Sequence, residues 1–406
     1  MKIGIVTAWG PRGASYVSRL YENVLSPTHD VFIYARATTG ELRGNKEWDR
    51  PNVWWGKDIV SPFSVTMFAR ADFLRWIKTN GIEAVIFNEQ HWWPPVRWCR
   101  EMGVRTIAYV DYYTEQTLPL FRYYDALICN TRRHFEAFSW HTGAKYIPWG
   151  TDISTFRPLA EIALVEPART TFFHSCGVSP MRKGTDALIR AFSRAKTTGK
   201  LVLHSQVPLA EKLPALAATL RDLVSQGRLK IIEGTHEGAG LFSTGDVYLY
   251  PSVLEGIGLT IAEAIASGLV PVVTDEPPMS EFVRPEFGYL IPVARRHARM
   301  DGYYWPKARV DEDALVHIIE SLDANPAQIL SMKKVARAFA VASLDWTKNA
   351  SALPAMLAAL PPPLPPDGGW ADLEAFERWG GRKLNPLFVK LAPLAGPLLR
   401  FFRRTL

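Results

Sequence analysis

The sequence predicts two consecutive α/β domains, each a doubly wound parallel sheet. Three observations carry that expectation. Short apolar runs alternate with helical or loop segments along most of the chain, a second series of five such runs repeats the first, and residues 245–274 read as strand, loop, helix, strand. A length of 406 residues with 48% hydrophobic content supplies core for two units of about 150 to 200 residues. In the first half the strand-like runs are 2–7, 30–34, 84–87, 105–110 and 126–130, with a helix over 14–25. In the second half they are 170–174, 200–204, 229–233, 247–250 and 271–274. These give domains over 1–150 and 151–345, a linker near 150–168, and a proline-rich spacer with a basic, apolar tail over 361–406. The opening run from Met1 to Thr7 reads as a buried first strand, because it is too short for the apolar region of a signal peptide.

The segment from Pro251 to Gly268 concentrates the chemistry. Gly256 and Gly258 let backbone approach a ligand closely, and the helix expected to begin near Leu259 presents free N–H groups with partial positive charge. The natural guest is an anion, held by the backbone of Gly256, Ile257, Gly258, Leu259 and Thr260. Glu263, about one turn into the helix, could accept hydrogen bonds from vicinal hydroxyls such as those of a ribose, while Glu255 stays on the loop. Equally, Glu263 could be a favourable first-turn acid and Glu255 a solvated loop residue.

Glu255 and Glu263, separated by seven residues, resemble the E-x7-E signature of retaining GT-B glycosyltransferases of family 4. Ile147-Pro148-Trp149-Gly150-Thr151-Asp152 through Pro158 resembles that family's interdomain segment. Lys183-Gly184, running on to Ala191-Phe192, resembles its K-G helix start, and Ser343-Leu344-Asp345-Trp346 its C-terminal tryptophan motif. The resemblance spans roughly residues 1 to 360. It implies a GT-B fold of two facing Rossmann-like domains with a cleft between them, and a helix over 346–360 crossing back to the first domain. It implies transfer of a sugar, with retention, from a nucleotide diphosphate sugar to an acceptor hydroxyl. Glu263 would then hold the ribose and Glu255 the transferred sugar.

Two positions depart from the family pattern. The family's diphosphate-binding basic pair is matched at Lys183, but the residue after Gly177 is Val178 where an arginine is usual. Arg182 could supply the charge, although on an extended segment adjacent side chains point opposite ways, or it could be a solvated cation. After the run 105–110 the chain has Asp111 where many members have histidine. Asp111 still lies at a strand's carboxyl end, where ligands of such sheets bind, and could orient a donor or acceptor hydroxyl. The cluster Asn88-Glu89-Gln90-His91-Trp92-Trp93 occupies a similar edge, with Glu89 and His91 as acceptor contacts or base, or as loop residues bonded to neighbours. Gly13, after the first strand, could face the donor phosphates or only shape a turn.

Among 14 tryptophans, Trp92 or Trp93 could stack on a sugar, though core packing is the common fate of such side chains. The only D-x-D, Asp311-Glu312-Asp313, reads as a helix cap, and nine scattered histidines lack ligand spacing, so neither a metal nor a cofactor beyond the sugar donor is expected. Cys99, Cys129 and Cys176 read as core residues of a reducing cytoplasm. The net charge of +7 gathers toward the C-terminal end, where 382–406 interleaves basic and apolar residues suited either to peripheral contact with the inner face of a membrane or to packing on its own domain. No nucleic-acid recognition motif accompanies the charge. The expected partners are a nucleotide-sugar donor and a glycan or lipid-linked acceptor of the cell envelope or an exopolysaccharide. The alternatives are a GT-B sugar-nucleotide epimerase and a noncatalytic carbohydrate-binding homologue.

Overall fold

A computed structural model describes residues 1–36, 42–57, 66–159, 169–236, 239–363 and 369–380. Two compact units emerge: one comprises 1–130, 134–146 and the described residues from 350 on, the other 131–133 and 147–349.

The first unit is built on seven strands: β1 (Lys2–Ala8), β2 (Asp30–Arg36), β3 (Val53–Trp55), β4 (Ala84–Asn88), β5 (Arg105–Tyr109), β6 (Ala126–Cys129) and β7 (Ala144–Tyr146). They lie in the order β3-β2-β1-β4-β5-β6-β7, and every pairing is parallel. The central strands are continuous apolar runs because parallel sheets are covered on both faces; β4 is buried along its whole length. The strand order reverses direction between β1 and β4, which defines a switch point at their carboxyl ends.

The second unit repeats the pattern with β8 (Thr171–Ser175), β9 (Lys200–Ser205), β10 (Leu229–Glu233), β11 (Val247–Tyr250), β12 (Val270–Thr274) and β13 (Tyr289–Ile291), ordered β10-β9-β8-β11-β12-β13 and again all parallel. Its switch point falls between β8 and β11. Phe172, Leu188, Phe192, Leu249, Val272 and Leu315 are among the fully buried side chains of its core. An antiparallel hairpin, β14 (Val293–His297) with β15 (Lys307–Val310), stands outside the parallel sheet. The two α/β domains expected from the sequence are therefore present.

Three boundaries differ from expectation. The second unit begins at Ile147, where Thr151 N–H donates to Leu344 O at 2.7 Å and Trp346 N–H to Thr151 O at 3.1 Å. This backbone exchange, with Trp149 and Trp346 rings 4.8 Å apart, joins the two motifs read at 147–158 and 343–346. The chain passes to the first unit after Asn349, through a helix Leu353–Ala358. The expected tail opens with a helix, Ala371–Gly380; beside it Trp370 stacks on Tyr123 and Asp372 pairs with Arg122. Residues 160–168 of the expected linker, 364–368 of the spacer and 381–406 of the tail lie outside the described residues.

Candidate functional site

At the switch point of the second unit, the loop after β8 and the loop after β11 meet over the sheet's carboxyl edge. The first carries Arg182 and Lys183, the second Glu255. Lys183 Nζ donates to Glu255 Oε1 at 2.7 Å, and Arg182 Nη1 lies 3.1 Å from Oε2. Tyr250 at the end of β11 and Ser252 just beyond it donate to the same Oε1 at 2.9 and 2.6 Å. Lys183 also donates to the Tyr250 hydroxyl. Burial pushes the Glu255 carboxyl up, but Lys183 and Arg182 with these hydrogen bonds outweigh it and hold it at about 2. Burial takes Lys183 down to about 8, with Glu255 opposing the shift. Near neutrality both are charged: three donors and an arginine in ion-pair contact cradle one buried carboxylate.

Of the readings left open for Arg182, the one in which it points away from Lys183 does not hold, for a definite reason. The segment is a chain of turns and not an extended strand: Lys183 N–H bonds Ser179 O at 3.0 Å and Thr185 N–H bonds Pro180 O at 3.0 Å. Alternation holds only for pleated backbone, so both cations reach Glu255. Val178, where the arginine was expected, is 65% exposed and takes no part in the cradle. Gly184 sits at a φ of 67°, and a Cβ there would lie 1.9 Å from Pro251 O, so the lysine loop and the glutamate loop touch through a glycine.

The helix Leu259–Ala266 starts directly after this loop. Its N-cap, Gly258, has a φ of 89° and supplies no side-chain cap, so the first-turn N–H groups around Leu259 and Thr260 are left without that partner. Gly256 and Ile257 lead the backbone into this turn, and a Cβ at Gly256 would meet nothing within 4 Å. Glu263, one turn in, makes no side-chain hydrogen bond or ion pair among the described residues, and burial pushes its carboxyl up to about 7 against the pull of Lys183. The hydroxyls of Thr260 and Tyr248 are buried beside each other, and neither makes a well-formed hydrogen bond among the described residues. A carboxyl without a side-chain partner and two weakly satisfied hydroxyls next to a helix start leave polar capacity that a ligand bearing hydroxyls could fill.

Sequence reasoning missed Tyr250, Ser252 and His174. His174, in β8, is fully buried with Nδ1 2.7 Å from Leu249 O and Nε2 2.8 Å from Thr185 Oγ1; burial lowers it to about 4, so it stays neutral and braces the start of the helix Thr185–Arg194. The legible signal for Tyr250 was Tyr248-Leu249-Tyr250, in which two phenols share one strand face, and of the two it is Tyr250 whose hydroxyl reaches Glu255.

In the first unit, Asp111, Glu89 and His91 follow the adjacent strands β5 and β4. Burial raises the Asp111 carboxyl, the Glu89 carboxylate adds to the rise, and Arg36 opposes it. Glu89 has a φ of 52°, uncommon for a residue with a side chain; the buried Arg36 donates to Asn88 O and, at 2.6 Å, to Glu89 O. The His91 side chain is exposed, its ring 4.5 Å from that of Tyr112. Gly13 is the first residue of the helix Gly13–Leu25 that follows β1, so it too lies at this unit's carboxyl edge. The sugar-stacking reading fails for Trp93, whose ring is 4% exposed and packed on Phe121 and Tyr124; Trp92 packs edge-on against Trp98 and Phe68. Asp311 caps its helix as expected, accepting from Asp313 N–H and Ala314 N–H at 2.9 and 3.0 Å.

Residues 169–301 match the family model described as Glycosyl transferases group 1. A GDP-mannose-dependent alpha-(1-6)-phosphatidylinositol dimannoside mannosyltransferase of Mycobacterium tuberculosis is 28% identical over 222 residues, covering 47% of this chain and 56% of that protein. An N-acetylgalactosamine-N,N'-diacetylbacillosaminyl-diphospho-undecaprenol 4-alpha-N-acetylgalactosaminyltransferase of Campylobacter jejuni is 25% identical over 183 residues, 45% of this chain and 47% of that protein. The chain thus spans about half the length of the curated relatives it matches. Among solved structures, sucrose-phosphate synthase from Thermosynechococcus elongatus superposes with a TM-score of 0.67 at 19% identity, covering 89% of this chain and 99% of that one. Anabaena Alr3699/HepE in complex with UDP and glucose gives 0.67 at 16% identity, covering 89% and 100%. The fold is that of the GT-B glycosyltransferases.

Proposed function

We propose that this chain, which matches the group 1 glycosyl transferase model over residues 169–301, moves a sugar with retention from a nucleotide diphosphate sugar to an acceptor hydroxyl. The observation that carries the reading is the switch-point site, where Lys183 and Arg182 converge on Glu255 beside an uncapped helix start and an unpartnered Glu263. Glu263 accepts the ribose hydroxyls; the helix start, Lys183 and Arg182 stabilise the departing diphosphate where its charge develops. Glu255, ionised and held in place, contacts the transferred sugar. Asp111 and His91 orient the acceptor from the first unit. No divalent cation is needed in this scheme, since the D-x-D acids are spent on capping and on Arg190 and Arg194. The M. tuberculosis relative uses GDP-mannose and a phosphatidylinositol glycolipid, which makes GDP-mannose the first donor to try and a lipid-linked envelope glycan the acceptor class. Such an acceptor suits an enzyme at the cytoplasmic face of a membrane; among the described residues no helix is long and apolar enough to cross one.

The test is a thermal-shift titration with GDP, UDP, ADP and dTDP and their sugar conjugates in EDTA. One base should stabilise the protein by roughly 2.7 kcal/mol at about 100 times its dissociation constant. Glu263→Ala should reduce that shift, whereas Glu255→Ala should retain it and lose turnover. Equal nucleotide affinity in wild type and Glu263→Ala would refute the ribose assignment. Sugar isomerised without acceptor would indicate an epimerase, and glycan binding without nucleotide release a noncatalytic homologue.

A further inference from the structure

The hairpin β14–β15 stands outside the catalytic geometry and has an unusual charge pattern. Between Val293 and Val310 the chain carries five Arg or Lys residues, His297 and a single acid, Asp301. The cross-strand register places Arg295 opposite Arg309 and His297 opposite Lys307, so one face of the ribbon sets like charges side by side, an arrangement that costs stability in water. The other side is fixed inward: Ala308 and Val310 are buried, and Ala308 N–H bonds Val253 O at 2.9 Å. Three cations are already matched, Arg296 by Glu276, Arg309 by Asp186 and Arg299 by Asp301. Arg295, His297 and Lys307 have no side-chain hydrogen bond or ion pair among the described residues, and the mutual proximity of these charges with Arg309 holds His297 below its usual range, after a first contribution from desolvation.

The turn between the strands exposes two large hydrophobic side chains beside the self-neutralised pair Arg299–Asp301. Met300 is fully exposed and Tyr304 is 42% exposed. A ribbon with unneutralised cations along one face and a thioether and a phenol at its tip has the composition of an interfacial membrane contact: the cations meet anionic headgroups while the tip enters the headgroup boundary. A polynucleotide would satisfy the cations, but gains nothing from an exposed methionine.

We propose that the hairpin Val293–Val310 docks this protein on an anionic lipid bilayer. The site is distinct from the basic tail over 382–406 and does not depend on the transfer reading. Docking brings the loop that carries Glu255 toward the lipid surface, because β15 is bonded to Val253 of that loop.

The experiment is co-sedimentation of the full chain with vesicles of phosphatidylglycerol and phosphatidylcholine, against vesicles of phosphatidylcholine alone. Wild type should partition onto the anionic vesicles and less so as salt rises. At about a 5-fold contribution per surface cation, the double variant Arg295→Gln/Lys307→Gln should partition about 25-fold more weakly, and Met300→Asp should also weaken binding. Neither variant should melt below wild type, since the substituted side chains are unpaired at the surface and the double variant relieves the repulsion across the ribbon. Undiminished partition of the double variant would overturn the proposal and leave the membrane contact, if any, to the tail. Binding of a single-stranded DNA oligonucleotide that is lost in the double variant, with no vesicle binding by wild type, would overturn it in favour of nucleic acid.

Discussion

Burial drives Glu263 up to about 7 and Lys183 down to about 8, so the two groups that would meet ribose and diphosphate titrate on either side of neutrality. Hydroxyls donating to Glu263 need its ionised form, and binding should weaken as pH falls below about 7. The diphosphate needs protonated Lys183, and binding should weaken as pH rises above about 8. Affinity for a nucleotide sugar, which has no phosphate titrating in this range, should therefore be a bell with its maximum near 7 to 8 in calorimetric titrations from pH 5.5 to 9.5. Glu263→Gln should flatten the acid limb and Lys183→Arg the basic limb; a flat wild-type profile would contradict both roles. In the free chain the signs differ by group. Glu263, raised above 4.5, contributes stability present below that value and lost as pH rises through about 7; Glu255, lowered from 4.5, contributes stability present above it and lost as pH falls through about 2. Glu255, Glu263 and Lys183 were legible because motif spacing fixes their loops. Tyr250, Ser252 and the convergence of Arg182 were not, because a side chain's direction within a run of turns depends on backbone angles that spacing does not encode.

At the level of elements, the site is two loops held in register by a glycine. Gly184→Ala places a side chain at positive φ and drives its Cβ into Pro251 O. The conformational cost alone is about 1 to 2 kcal/mol, and relieving the clash must part the Lys183 loop from the Glu255 loop. A Gly184→Ala variant should melt several degrees lower and lose most of its nucleotide-induced shift, whereas Gly256→Ala, with open space around its Cβ, should change the melting temperature little. Retention of full nucleotide binding by Gly184→Ala would show that the loops are not coupled. The long central strands were read from the sequence to within a residue or two, since a buried parallel strand is a continuous apolar run. The edge strands β3, β7 and β13 were missed: each has three residues, none is buried throughout, and such runs carry no periodicity. The hairpin β14–β15 was missed because its basic residues read as loop; only pairing with each other makes strands of them.

Over the whole molecule, the two units differ in how the chain closes them. The second is continuous over 147–349 apart from three residues, whereas the first draws on both ends of the described chain. Its late contribution is structural: Leu353 and Leu357 are fully buried, Pro354 O lies 3.2 Å from His29 Nε2, and Arg105 Nε donates to Leu360 O at 2.9 Å. Removing two buried leucines forfeits about 3 to 6 kcal/mol, a large share of the stability of a single domain. A chain ending at Asn349 should therefore lose the cooperative unfolding of the first unit in scanning calorimetry and admit protease there. Its second unit should still melt as one transition, and the nucleotide that stabilises the full chain should still raise that transition, because Lys183, Glu255, Glu263 and the helix start all belong to 147–349. If the nucleotide no longer shifted the remaining transition, donor binding would need the first unit. The residues to test would then be Gly13, Asp111 and His91 at the carboxyl edge of its sheet.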